Sequence, residues 1–225
     1  MHGAAERPGR RTDPRPPLSG IDPAIPVVYA LSPSTDPADT SVVTDDRGCA
    51  GLAVEHLPAA GRTRIAHVTG PEHRQAARDR AAHAVRHLAG ACLRPATGRV
   101  HLGEWSEARG RRAADAVLRT APDTDAVFCG NDQTARGVAD ALRERGKDVP
   151  GDVAVVGYDN WDTMALACRP PLTTVDMNPA ETGRIAALRP LQAIDAGPAP
   201  GVHTVPCRPV VRESSRAGIR PCLLA

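Results

Sequence analysis

The chain has 225 residues, of which 41% are hydrophobic and 24% charged, and its net charge is +2. That length suits one large domain or two small ones, and the composition is ordinary for a soluble globular protein. The charge balance excludes a global field steering the chain to nucleic acid or to an anionic membrane.

Residues 1–20 are rich in Pro, Arg and Gly and read as a disordered tail, with Arg7, Arg10, Arg11 and Arg15 as a solvated basic cluster. Residues 25–31 (IPVVYAL) read as a strand, and 41–43 (SVV) as a short extended piece. Asp45 and Asp46 are suitable N-caps for a helix through GCAGLAVEHL, closed at Gly61. Residues 64–70 (RIAHVTG) form a strand, 75–88 a helix, 99–103 (RVHLG) a strand and 107–119 a helix. Residues 125–130 (DAVFCG) form a strand, 133–145 a helix ending at Gly146, and 152–158 (DVAVVGY) a strand. Residues 172–175 are extended, and 179–196 form a helix that Pro190 should kink or interrupt. Residues 202–211 (VHTVPCRPVV) are extended, and 214–225 fray.

Strands alternating with helices over short connections predict a parallel α/β sheet. The aromatics are one Phe, two Trp and two Tyr. The core must then come from Val, Leu, Ile and Ala, and each large aromatic is expected to have a local role. None of the six cysteines forms a CxxC pair, and Cys129 and Cys207 sit in apolar stretches as free thiols would. The N-terminus lacks the apolar stretch of a signal peptide, and no run reaches membrane-spanning length. The expectation is a reduced, cytoplasmic setting without a membrane partner.

All strand C-termini of a parallel sheet share one edge, where ligands bind. Three of them carry polar groups: Thr69-Gly70-Pro71 leading to Arg80, then Gly130-Asn131-Asp132, then the stretch from Gly157 to Trp161. Together they offer an Arg fork, carboxamides, carboxylates and an aromatic platform, a set suited to a small molecule with hydroxyls or ring nitrogens. From the residues alone, Asn131 and Asp132 either cap the following helix or hold a ligand. No GxGxxG or GxxxxGK[ST] loop occurs, which counts against dinucleotide and P-loop chemistry. His83 and His87 lie one helical turn apart but lack a third ligand nearby, so no metal is expected and a solvated face is the reading. Ser106 has no nucleophile-elbow context, and no enzyme activity or cofactor is expected.

Several blocks occur in order: IPVV, DDRGCAGLAVEHLPAAGRTRIAHVTGP, GEWSEARG, VFCGNDQTARGVADALRERGKDVPGDVAVVGYDN, RPPLTTVDMNPAETGRIAA and VPCRPVVRESS. In these blocks the chain resembles the lactose-repressor/galactose-repressor family of bacterial transcription regulators. The resemblance implies two α/β lobes like those of periplasmic sugar-binding proteins, joined by three crossovers, with an effector between them. It implies a homodimer that meets operator DNA through a helix-turn-helix headpiece, an element absent from this chain. It places effector contacts on Arg80, Trp105, Asn131 and Asp159, for a sugar or purine-like molecule. Asn131 then holds ligand while Asp132 caps, and Trp161 is a second stacking group or a dimer-face residue.

Some positions depart from the family pattern. His83 and Ala84 replace a Gly and an aromatic, Leu31 replaces an acidic residue, and Pro58 and Pro190 are expected to interrupt helices. The expected organisation is a complete C-terminal lobe, 44–176 with 202–213, and a partial N-terminal lobe, 21–43 with 177–201. The implied function is a ligand-responsive repressor. The alternatives are a free-standing binding or mixed-dimer modulator protein, and a truncated remnant.

Overall fold

Three strands carry the frame: β3 (Ile65–Val68), β4 (Ala126–Cys129) and β5 (Ala154–Val156), each buried along its whole length. The structure is a computed structural model that describes residues 13–216. The strands pair in parallel in the order β3-β4-β5, with Ile65 opposite Ala126 and Phe128 opposite Val156. Strands covered on both faces need no polar alternation, so AVFC and AVV read as continuous apolar runs. His67 is the exception. It stacks on Phe128 at 4.6 Å and its Nδ1 donates to the Phe128 carbonyl at 2.9 Å. Burial pushes its pKa down to about 4, so the ring stays neutral.

Side chains alternate across these strands, which splits the core into two layers. Ile65, Ala126, Phe128 and Val156 face α1 (Asp46–Ala59) and α2 (Gln75–Gly90). Ala66, Val127 and Val155 face α3 (Glu107–Thr120) and α4 (Asp132–Glu144). Leu57, Leu88 and Leu142 are essentially fully buried here, each worth about 2 kcal/mol. Gly110 and Gly137 let α3 and α4 approach backbone to backbone, since a Cβ at either would strike the facing helix.

A second parallel sheet has β2 (Thr40–Thr44) between β1 (Val28–Ala30) and β7 (Gly201–Val205), with Thr40 opposite both Val28 and Gly201. α6 (Pro179–Ala196) packs on β1 and β2. The short α5 (Asp162–Ala165) follows β5, and β6 (Thr174–Asp176) pairs antiparallel with β8 (Arg208–Val210). Single bridges, Val156 to Thr173 and Asp159 to Asp176, run β6 alongside the large sheet. The chain therefore passes between the large and small sheets after β2, after β6 and after β7. No helix among the described residues is long and apolar enough to cross a membrane.

Several expectations need correction. Residues 13–20 are not a free tail: Asp13 accepts from the Gln75 amide at 3.0 Å and pairs with Arg74 at 2.9 Å. Asp13 thus caps α2, whose own N-cap residue Arg74 has no capping side chain. Arg15 exchanges backbone bonds with Pro33 and Thr35. Residues 1–12 lie outside the described residues. Residues 202–205 belong to the small sheet rather than the large lobe, because β7 lies beside β2. Ser214 and Ser215 do not fray: Ser214 Oγ donates to the Val155 carbonyl at 2.6 Å, and both residues are fully buried. Residues 217–225 lie outside the described residues. The strand expected at 99–103 is reduced to one bridge, His101 to Val68. α1 continues through Pro58, one residue before its end, and α6 continues through Pro190; α6 buries only Thr182, so water can serve the carbonyl that Pro190 leaves without a donor.

Candidate functional site

The C-termini of β3, β4 and β5 end together at Thr69-Gly70, Gly130-Asn131 and Gly157-Tyr158. A cavity of about 660 Å³ lies there, within the range of small-molecule sites. Arg80, Trp105, Asn131, Asp159 and Trp161 all line it, joined by Ala76, Asn160, Asp162, Met177 and Pro179. Asp132 is not on its wall.

Arg80 reaches this edge from the first half of α2 and is itself buried. Its Nε and Nη2 donate to Asp46 Oδ1 at 3.0 and 2.9 Å, and Nη1 donates to the Gly130 carbonyl at 2.6 Å. The guanidinium lies 3.6 Å over the Tyr158 ring and 5.6 Å from the Trp105 ring. Tyr158 Oη donates to the same Asp46 oxygen at 2.8 Å. Burial opposes the charge on Arg80, but Asp46, Tyr158 and Asp159 outweigh it and hold the group protonated. Asp46 and Tyr158 were not singled out from sequence as site residues. The available signal was two adjacent aspartates where one cap suffices. Asp45 caps α1, accepting from the Gly48 amide at 3.0 Å, which leaves Asp46 for Arg80.

Asp159 follows β5 with a φ of 112°, and its amide donates to the Val175 carbonyl at 2.9 Å. Among the described residues its carboxylate accepts no hydrogen bond and forms no ion pair. Burial raises its pKa to about 7, against the attraction of Arg80 and with help from Asp132 and Asp46. A half-buried carboxylate facing a cavity is a group available to hydroxyl donors.

Asn131 takes the cap expected of Asp132 and stays on the cavity wall. Asn131 is the N-cap of α4, with Oδ1 accepting from the Thr134 amide at 2.9 Å, and it also lines the cavity. Asp132, one residue inside the helix, is fully buried. It accepts from the Trp161 amide at 2.8 Å and from Thr174 Oγ1 at 2.6 Å. Asp132 thus ties the Trp161 loop to α4 and β6. Burial raises its pKa to about 6, opposed by those hydrogen bonds.

Trp105 rests on Gly70, where any Cβ would fall on the indole. Trp161 is 47% exposed at the mouth. Asn160 is held by Arg212, which donates to Oδ1 at 2.8 Å. His83 and His87 do not form a purely solvated face: His87 pairs with Glu55 at 3.1 Å and its ring fills the space above Gly51 on α1.

Cys207 is not a free thiol. The Asp45 amide donates to the Val205 carbonyl at 3.1 Å, which brings the β7–β8 crossover beside the start of α1. Cys207 and Cys49 there form a disulfide with Cα atoms 5.5 Å apart. The thiol argument for a reducing setting therefore lapses.

A parallel α/β frame with a cavity at its strand ends, and three passages to a second sheet, defines a periplasmic-binding-protein-like class. Residues 54–215 match the family described as "Periplasmic binding protein-like domain". The "HTH-type transcriptional regulator CelR" of Thermobifida fusca is 34% identical over 177 residues, covering 77% of this chain and 51% of CelR. The solved "transcriptional regulator CelR-cellobiose complex" superposes with a TM-score of 0.74 at 31% identity, covering 83% of this chain and 58% of that one. A dimeric Lac repressor with an 11-residue C-terminal deletion gives a TM-score of 0.75 at 28% identity, over 84% and 68%. The chain belongs to the periplasmic binding protein-like domain family, as the kind of effector-binding region carried by the lactose-repressor/galactose-repressor regulators. It spans about half the length of the curated relatives it matches.

Proposed function

We propose that the chain is the ligand-sensing part of a repressor-type transcription regulator that acts in the cytoplasm, and that its effector is a small polar molecule of the sugar class. The observation that carries this reading is the Asp159 carboxylate, which accepts no hydrogen bond and forms no ion pair among the described residues, on a cavity that also holds both tryptophans of the chain. Hydroxyl donors satisfy such a carboxylate, and indole faces cover the C–H faces of a sugar ring. Arg80, Trp105, Asn131 and Asp159 are the proposed contacts, with Trp161 secondary and Asp132 acting behind the wall. Support also comes from CelR, a relative solved as a cellobiose complex. Operator DNA would be met by a headpiece outside this chain, in a homodimer; a Lac repressor dimer has been solved bound to operator. The protein does no chemistry in this reading; ligand shifts a balance between lobe arrangements.

Thermal unfolding in millimolar cellobiose, lactose, glucose, galactose and adenosine tests the reading. A ligand that binds only the folded state raises the midpoint, and at least one of these is expected to do so by several degrees. No rise with any of them would contradict it.

A further inference from the structure

We propose that the cavity selects uncharged polyhydroxyl ligands and rejects their phosphorylated forms, with Asp159 and Asp162 as the discriminating residues. This narrows the ligand-binding reading above and rests on it.

The charge on the wall sets this preference. Its charged side chains are Arg80, Asp159 and Asp162. Arg80 has five N–H groups, and three of them already serve Asp46 and the Gly130 carbonyl. A fourth contact leans on Met177 Sδ at 3.9 Å. Asp46 is its counter-ion at 2.9 Å, behind the wall. Once that pair cancels, at pH 8 the wall carries two carboxylates that form no ion pair among the described residues, Asp159 being attracted to Arg80 only at longer range.

Neighbouring arginines do not offset them. Arg136 reaches Glu107 at 3.8 Å, and Arg208 pairs with Asp176 at 2.8 Å. Arg212 is spent on the Leu172 carbonyl and on Asn160 Oδ1. A phosphoryl group needs several N–H donors converging on its oxygens. The unpaired charges on the wall are the two carboxylates, and its free N–H donors are uncharged: the Asn131 and Asn160 carboxamides and the two indoles. A dianion brought there would meet like charge, whereas a neutral polyol donates hydroxyls to the carboxylates and lays a C–H face on tryptophan.

Both tryptophans of the chain line this cavity, so intrinsic fluorescence reports the site directly. The test titrates the full chain, at low salt and pH 8, with matched pairs: glucose and glucose 6-phosphate, adenosine and adenosine 5′-monophosphate. It is repeated on Asp162→Asn and Asp159→Asn; Asp162 is exposed, and its loss leaves the core intact. The expected result is that a neutral member binds, its phosphorylated partner binds at least about tenfold more weakly, and Asp162→Asn narrows that gap several-fold. A phosphorylated member binding as tightly as its neutral partner would overturn the proposal while leaving the ligand-binding reading intact. A gap unchanged in both variants would overturn the assignment to these two residues. No response to any ligand would remove the ligand-binding reading and this proposal with it.

Discussion

Arg80 and Asp46 lie 34 positions apart in sequence, and their side chains meet in a nearly buried ion pair at 2.9 Å. The same Asp46 oxygen takes the Tyr158 hydroxyl, so one carboxylate fixes both an arginine and a ring behind the ligand cavity. Removing it would strand a buried cation, which costs far more than the pair contributes over a neutral packing. Asp46→Ala is expected to destabilise the chain by about 3 kcal/mol in urea unfolding. Asp46→Asn keeps an acceptor and is expected to cost less. Equal, negligible losses in both variants would show that Arg80 is held by other contacts.

Asp159 carries the pH dependence. Its pKa in the folded chain is about 7, above the ordinary 3.8. The sign follows from that direction: the group's contribution to stability is fully present below about pH 4 and is lost as pH rises through about 7. Asp159→Asn removes this dependence. The variant is expected to be more stable than the parent at pH 8 by about 1–2 kcal/mol, discounted because Asp159 keeps some contact with water. Ligand affinity should move oppositely, rising in the parent from pH 6 to 8 as the carboxylate ionises and falling at every pH in the variant. Chemical unfolding and ligand titration at pH 6 and 8 check both signs.

Asn131 serves a cap and a cavity wall at once, and two substitutions separate the roles. Asn131→Ala loses the bond to the Thr134 amide and is expected to cost about 1 kcal/mol. Asn131→Ser can still cap α4 but has no amide for a ligand. Near-parental unfolding with weakened ligand binding in Asn131→Ser is the expected pattern. Unchanged ligand affinity in both would leave Asn131 as a cap alone.

The Cys49–Cys207 disulfide closes a loop of sequence separation 158 and joins α1 to the β7–β8 crossover. Cross-linking so distant a pair restricts the unfolded chain. Reduction, or the double substitution Cys49→Ala with Cys207→Ala, is expected to lower stability by about 2–4 kcal/mol. Thiol counting by mass after alkylation, alongside unfolding, reads the outcome.

The elements of the large sheet were legible because their signals are local. AVFC is a continuous apolar run, Gly146 closes a periodic helix with a φ of 69°, and Asp45 stands where a cap belongs. The polar strand ends were legible for the same reason, whereas Trp105 was placed only by the family resemblance; Arg80, Trp105, Asn131, Asp159 and Trp161 share one cavity. The illegible features are contacts between segments far apart in sequence. Nothing local announces that Asp13 caps α2 or that Cys207 meets Cys49, and the adjacent aspartates show only that Asp46 is spare, not that it serves Arg80. That Asn131 rather than Asp132 caps α4 has a subtler cause. Both residue types cap helices, and which one does depends on whether Trp161 and Thr174 are near enough to occupy the other.

The most direct measurement is titration calorimetry of the full chain and of Asp159→Asn with cellobiose, lactose, glucose, galactose and adenosine. The account predicts one site per chain for at least one of these ligands, weakened at least about tenfold in the variant. Equal binding in both proteins, or no heat with any ligand, would contradict the claim that this cavity is a receptor site.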